Sequence, residues 1–279
     1  MKNPSDDARP ANPYVLGHSD QELDRLNKQA HLIDPITRRF LCAAGIEPGM
    51  RVLDVGSGAG DVACLAAELV GATGEVVGTD RSPAALVTAR QRADARSLRN
   101  VVFREGDPVE MKFDRPFDAV IGRYVLMFQR DPIEMLRGLA AHARRGGLVF
   151  FHEPDLDGAR SFPPAPTYDR CSQWIQETLR LSGAEPRMGT RLFSTFIAAG
   201  LPAPLMQLET LVAGVANNAD PLHLVADLAG TLASAMERLG VATAAEVGLE
   251  TLAERMISEA AAGASVIQGR FEVGAWSRV

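Results

Sequence analysis

The period of the apolar positions changes along this 279-residue chain. Between Asp20 and Ala44, the residues Leu23, Leu26, Ala30, Leu32, Ile33, Ile36, Phe40 and Leu41 recur at three- and four-residue intervals, the spacing of one helix face. Pro35 sits in the middle and predicts two helices, because its ring lacks the helical N–H and crowds the preceding turn. From residue 51, short apolar runs alternate with helical ones. RVLDV (51–55), EVVGTD (75–80), NVVFREGD (100–107, a strand and its exit), FDAVIGR (117–123) and GLVFFHEPD (147–155) predict strands. DVACLAAELVG (61–71), SPAALVTARQRADA (82–95) and DPIEMLRGLAAHA (131–143) predict the intervening helices. Gly71 ends the first, while Ser82 caps the second ahead of Pro83.

Strands that are apolar at nearly every position must be covered on both faces, so the strand–helix alternation specifies a parallel sheet inside an α/β fold. Right-handed crossovers then make it doubly wound, with its ligand at the carboxyl ends of the strands. After residue 155 the rhythm changes. A proline-rich SFPPAP precedes helical patterns at about 167–183 and 190–200 and a strand, PLMQLETLVA. Helical patterns at about 219–239 and 243–262 and a last strand, SVIQGRFEVGAWSRV, follow. No internal repeat is evident. Residues 1–13, polar and proline-rich, predict a disordered tail.

A net charge of −6 creates no field that would draw nucleic acid or an anionic membrane. The three cysteines, Cys42, Cys64 and Cys171, form no paired motif and have no histidine beside them, which argues against zinc or a disulfide framework. No apolar run approaches the ~20 residues that span a bilayer, and the polar N-terminus does not read as a signal peptide. The expected setting is the cytoplasm, with no metal, nucleic-acid or membrane partner.

VLDVGSGAGD (52–61) follows the first strand. Its glycines, Gly56, Gly58 and Gly60, follow G-x-G-x-G, whereas a dinucleotide turn requires G-x-G-x-x-G, and Asp61 takes the third glycine's place. Asp54 and Asp61 flank the turn and would repel a pyrophosphate, and no G-K-[ST] follows to make a P-loop. The ligand should therefore lack phosphate and carry positive charge. S-adenosylmethionine, with its sulfonium and ammonium, meets that requirement. Asp80, at the tip of the second strand, is placed for the ribose hydroxyls, although NAD folds also carry an acidic residue there. Asp107, leaving the third strand, can accept from an adenine amino group.

These motifs, with FDAVIGRYVLMFQRDP and GLVFFHEPD, resemble the ordered motifs of class I S-adenosylmethionine-dependent methyltransferases. The likeness is strongest to the small-molecule branch that includes ubiquinone/menaquinone C-methyltransferases and many bacterial natural-product enzymes. It covers residues 14–155 strongly and the rest by layout. The resemblance implies a Rossmann-like, mostly parallel sheet of seven strands in the order 3-2-1-4-5-7-6, the seventh antiparallel. It divides the chain into a tail (1–13), an N-terminal helical lid (14–45), a cofactor-binding core (46–156), and a remainder (157–279) carrying the last strands and a helical cap. The implied cofactor shell is Tyr14 and Gln29 from the lid, Asp54, Gly56, Ser57, Gly58 and Gly60 at the turn, Asp80 and Arg81, Gly106, Asp107 and Val109, and Gly122 with Arg123. Relatives place an N–H after the adenine-binding aspartate. Pro108 has none, so that contact would pass to Val109 or to water.

Methyl transfer needs donor and acceptor held in line and dry, and a base only where the acceptor is a poor nucleophile. His152 and Arg123 are the catalytic candidates, and Tyr124, His152, Glu153, Tyr168 and Trp174 are the acceptor-site candidates. Each has a plainer alternative. His152 is a general base or a histidine satisfied by backbone; Arg123 orients an acidic acceptor or makes an internal ion pair; Glu153 bonds the lid or Arg123. Met127, Phe128, Phe150 and Phe151 read as core. The helices at 219–262 cap an apolar or aromatic acceptor beneath residues 160–183 and 219–239, or extend the core, or form a dimer interface; the protein is expected as a monomer or homodimer. Two further functions stay open: the same fold using its cofactor for a non-methylating reaction such as cyclisation, or as a binding module, and an NAD-dependent oxidoreductase.

Overall fold

Five parallel strands form the centre of the sheet: β1 (Arg51–Val55), β2 (Glu75–Asp80), β3 (Val101–Glu105), β4 (Phe117–Arg123) and β5 (Ala143–Asp155). β1 pairs with both β2 and β4, so the chain reverses direction across the sheet between those two strands. That reversal opens a crevice at their carboxyl ends, directly after Val55. The last strand, β8 (Val266–Arg278), runs antiparallel to β5, and β7 (Leu205–Gly214) pairs with its other edge. A short β6 (Arg160–Phe162) pairs with the beginning of β8, making eight strands ordered β3-β2-β1-β4-β5-β8-β6, with β7 also on β8. The computed structural model describes residues 20–214 and 218–279, with side chains from Gln29 onward. The tail at 1–13, the first part of the lid and Tyr14 lie outside the described residues.

Successive side chains on a strand face opposite sides, and the core divides accordingly. Val52, Val76, Ile121, Leu148 and Phe150 pack against α1 (Asp20–Ala44), α2 (Asp61–Val70) and α3 (Pro83–Ala95). Leu53, Val55, Val120, Val149 and Phe151 pack on the other face, against α4 (Pro132–Ala140), α5 (Pro166–Leu181) and α6 (Met188–Ala198). Leu222, Leu232 and Met236 of α7 (Asp220–Arg238), together with Leu252 and Met256 of α9 (Leu249–Ala262), join this second cluster. The helices after β7 thus extend the core on the β5–β8 side.

Three elements differ from the sequence expectation. α1 is one helix through Pro35, not two. Ile33, Ile36, Phe40 and Leu41 on its inner face are all buried, so packing keeps the helix continuous against the proline's local cost. The expected helix at 243–262 is two, α8 (Ala244–Val247) and α9, with Gly248 at φ +57° between them. The resemblance implied seven strands; β6 is the addition, three residues too short to leave a periodic signal.

Candidate functional site

A cleft of about 600 Å³ lies at the carboxyl ends of β1, β2 and β4. The turn after β1 supplies Gly56, Ser57 and Gly58, and β1 itself supplies Asp54. Gly56 and Gly58 have φ of +62° and +51°, a region that costs side-chain-bearing residues energy. A Cβ on Gly56 would also stand 2.8 Å from Val125, so the turn has no space for a side chain there. Asp80 fixes the turn from β2. Its Oδ2 accepts from the Gly58 N–H (2.9 Å) and its Oδ1 from the Ser82 N–H (2.8 Å), and the residue lines the cleft.

The charged lining residues are three carboxyl groups, Asp54, Asp61 and Asp80, and two arginines, Arg81 and Arg123. Asp54 is buried, and its Oδ2 has no hydrogen-bond partner; the Ser57 hydroxyl is buried and unpartnered as well. Burial pushes the Asp54 carboxyl up to about 8, opposed by Arg123 and reinforced by Asp80 and Asp61. Asp61 is compensated, since Arg92 Nη1 stands 2.6 Å from its Oδ1. The carboxyl groups at the turn that lack an ion-pair partner are therefore Asp54 and Asp80. The cleft's arginines are committed: Arg81 pairs with Asp107, and Arg123 with Asp34 (2.8 Å).

Of the residues implied for the cofactor, Gln29, Asp54, Gly56, Ser57, Gly58, Asp80, Arg81 and Arg123 line this cleft together. Gly60, Gly106, Asp107, Val109 and Gly122 are not among the lining residues. Gly60 caps α2 at φ +86°, where a Cβ would meet Ala89 at 2.9 Å, so it serves the packing of α2 on α3. Gly122 is likewise a packing glycine, with Phe151 2.7 Å from any added Cβ. Gly122→Ala should cost about 1–3 kcal/mol through overpacking, measurable by urea denaturation. The Val109 N–H donates to Asp107 Oδ1 (3.0 Å) and is not free to replace the contact that Pro108 lacks. Pro108 itself lines the cleft, as do Phe128, Gln129 and Met135. Phe128 read as core at strand spacing, but the chain enters a 3-10 turn at Leu126–Phe128 that re-aims it.

Glu153 bonds neither the lid nor Arg123. Its carboxylate accepts from the N–H groups of Val125 (2.9 Å), Leu126 (2.7 Å) and Met127 (3.3 Å), capping that 3-10 turn from below. Burial raises it to about 8, with the three N–H donors pulling the other way.

His152 is fully buried between Phe40 and Tyr124, and it lines neither of the two cavities described in this section. Its Nε2 is 2.9 Å from Glu272 Oε2 and its Nδ1 3.2 Å from Thr37 Oγ1. Both expectations are corrected: the partners are side chains, not backbone, and an acceptor finds neither nitrogen free. Burial lowers its pKa, against the upward pull of Glu272. Arg123 makes an internal ion pair and also donates to Thr37 Oγ1 (2.9 Å), which ties α1 to the end of β4.

Tyr124 lines the cleft, but its hydroxyl reaches beyond it. The hydroxyl donates to Glu272 Oε2 (2.6 Å) and accepts from Arg270 Nη2 (3.0 Å). Arg270 and Glu272, both on β8, line a second, apolar cavity of about 60 Å³. Its other walls come from Ile33 of α1, Tyr168, Ser172 and Ile175 of α5, and Leu224 and Leu228 of α7. Tyr168 donates to the Gln268 carbonyl (2.8 Å), and burial pushes its hydroxyl up to about 12. Trp174 packs on the core and lines neither cavity. Arg270 and Glu272 had no place in the sequence reading. Their signal was polar residues at alternate positions, Gln268, Arg270 and Glu272, in a strand otherwise fit for burial.

A glycine turn at the switch point of a doubly wound sheet, opening on a cleft with one buried, unpartnered carboxyl oxygen, defines a Rossmann-like protein for a nucleoside cofactor. Residues 46–187 match the methyltransferase domain family, and the chain belongs to that family. It is 36% identical over 155 residues to aklanonic acid methyltransferase DauC of Streptomyces sp. (strain C5), an overlap of 54% of this chain and 68% of that protein. It is 30% identical over 162 residues to a 2-phytyl-1,4-naphtoquinone methyltransferase of Trichormus variabilis, covering 56% of this chain and 66% of that one. The chain thus spans about two thirds of the length of these relatives. Among solved structures, the (4+2)-cyclase SpnF superposes with a TM-score of 0.53 at 20% identity, covering 88% of this chain and 81% of that one. At that identity the likeness is one of fold. Among the described residues, no helix is long and apolar enough to cross a membrane.

Proposed function

We propose that the protein transfers a methyl group from S-adenosylmethionine to a small apolar or aromatic acceptor. The observation that carries this reading is the pair of buried, unpartnered groups at the cleft wall, Asp54 Oδ2 and Ser57 Oγ. A buried polar atom without a partner is costly, and a cationic ligand carrying N–H donors satisfies both. A pyrophosphate would meet Asp80 instead, with Arg81 and Arg123 already paired. When bound, the cofactor supplies a methyl group activated by its sulfonium for in-line displacement. Asp54 and Ser57 would hold its amino-acid end, Asp80 its ribose, and Pro108 with Arg81 would border its base. Phe128, Tyr124 and Gln29 would keep water from the methyl.

The apolar cavity beneath α5 and α7 supports the rest of the reading, since it is lined from 160–183 and 219–239, where an acceptor site was expected. A fold shared with a cyclase does not separate transfer from cyclisation. The deciding readout is therefore label moved from the cofactor's methyl group onto an acceptor in cell extract. Calorimetry with S-adenosylhomocysteine and with NAD should show binding of the first alone; binding of NAD alone would sink the proposal.

Cofactor binding should also release a proton. Asp54 is protonated in the free protein below about pH 8, and a bound cation favours its ionised form, so the bound state holds one proton fewer. Calorimetry at pH 6.5 in two buffers of different ionisation enthalpy should show proton release by the wild type that Asp54→Asn lacks.

A further inference from the structure

Tyr124 stands between the two cavities. Its ring borders the cofactor cleft, while its hydroxyl is held by Arg270 and Glu272, which belong to the wall of the apolar cavity. The backbone there has φ +58°, a conformation that only its surroundings sustain in a tyrosine. At about 60 Å³, the apolar cavity falls short of the ~150 Å³ that admits a benzene ring. Tyr124 borders the cleft of about 600 Å³ and bonds two residues of the apolar cavity's wall, so moving its side chain opens a way from the one toward the other. Such a displacement takes one hydrogen-bond partner from each of Glu272 and Arg270, a loss the incoming molecule has to replace.

Their geometry defines the replacement. Glu272 is ionised: burial opposes this, but Arg270, His152 and Tyr124 together hold it down to about 2. Its Oε2 takes a hydroxyl proton, and Arg270 Nη2 donates to the same hydroxyl oxygen. Arg270 Nε is fixed on Glu272 Oε1 (2.9 Å), and His152 Nε2 holds Oε2 from behind, so the pair is rigid before any ligand arrives. Beside Tyr168 and Ser172, the rest of the wall is mostly apolar, with Ile33, Ile175, Leu224 and Leu228. The site accommodates one hydroxyl on an aromatic ring and is occupied by the protein's own phenol.

The geometry points to a phenol as the acceptor class: a hydroxylated aromatic whose hydroxyl displaces that of Tyr124 from Arg270 and Glu272, Tyr124 acting as a built-in competitor and as the partition between the cavities. This inference names the acceptor for the proposed transferase and rests on that reading for its purpose, though not for its geometry. Which atom of the ring system receives the methyl group is a separate matter.

The test is binding. Phenol, anisole and benzene are titrated by ligand-observed NMR onto the full chain, with S-adenosylhomocysteine affinity measured on the same samples. Phenol should bind about tenfold tighter than anisole or benzene, the worth of a hydrogen bond to a charged group. Tyr124→Phe removes the competing hydroxyl and should strengthen phenol binding severalfold while leaving benzene unchanged. Glu272→Gln should abolish the preference for phenol. Equal affinities for the three probes, or a Tyr124→Phe protein that binds phenol no better than wild type, overturn the inference. The Tyr124→Phe arm decides the matter if Glu272→Gln fails to fold. Loss of S-adenosylhomocysteine binding with phenol selectivity intact would count against the transferase reading alone.

Discussion

Asp80→Ala should weaken S-adenosylhomocysteine binding by on the order of a hundredfold, the effect of leaving a ligand's paired hydroxyls without their acceptor, at about 1–3 kcal/mol. The structure adds a second loss. Asp80 also accepts the Gly58 and Ser82 N–H groups, so its removal loosens the glycine turn and the first turn of α3 together. Asp80→Asn retains one carbonyl oxygen and should fall between wild type and alanine. Calorimetry on the three proteins, with circular dichroism to confirm the fold, checks this. Equal affinity in wild type and Asp80→Ala would remove Asp80 from the cofactor site.

The largest loss of stability should come from Glu153→Ala. That change orphans three buried N–H groups, those of Val125, Leu126 and Met127, each costing about 1–3 kcal/mol when unsatisfied. The sum is at least about 3 kcal/mol, and at about 2–4 °C per kcal/mol for a chain of this size the melting temperature should drop by about 10 °C. Glu153→Gln keeps one acceptor oxygen but turns an NH2 toward N–H donors, so it should recover only part. The same residue shapes the cleft at a distance, because the 3-10 turn it caps carries Phe128 into the lining. Cofactor affinity should therefore fall along with the melting temperature. A Glu153→Ala protein that melts within about 2 °C of wild type would show that water satisfies the turn instead.

Much of the site was legible because it lies on a regular scaffold. Asp54 and Asp80 each sit at or near the end of an apolar strand, and strand ends in a doubly wound sheet converge whatever the intervening helices are. The glycine turn was legible for the same reason: G-x-G-x-G at that place has to make room for a ligand or a neighbour. Gly122 shows the limit of such reasoning. Its place at the end of the fourth strand pointed to the cofactor, whereas the structure shows Phe151 2.7 Å from any Cβ added there, a packing demand that nothing local announces. His152 meets the same limit. Its place on β5 follows from periodicity, but Glu272 lies 120 residues away, and nothing local to either residue announces the other.

The sequence by itself determined the parallel core, its crossover helices, and the place of the glycine turn and of the carboxyl groups beside it, because each depends on local periodicity and on residue type at a strand end. Tertiary structure alone decided the remainder: the continuity of α1 through Pro35, the capping role of Glu153, and the meeting of Tyr124 with Arg270 and Glu272. Those features depend on contacts between distant segments, where burial and hydrogen-bond satisfaction outweigh local preference.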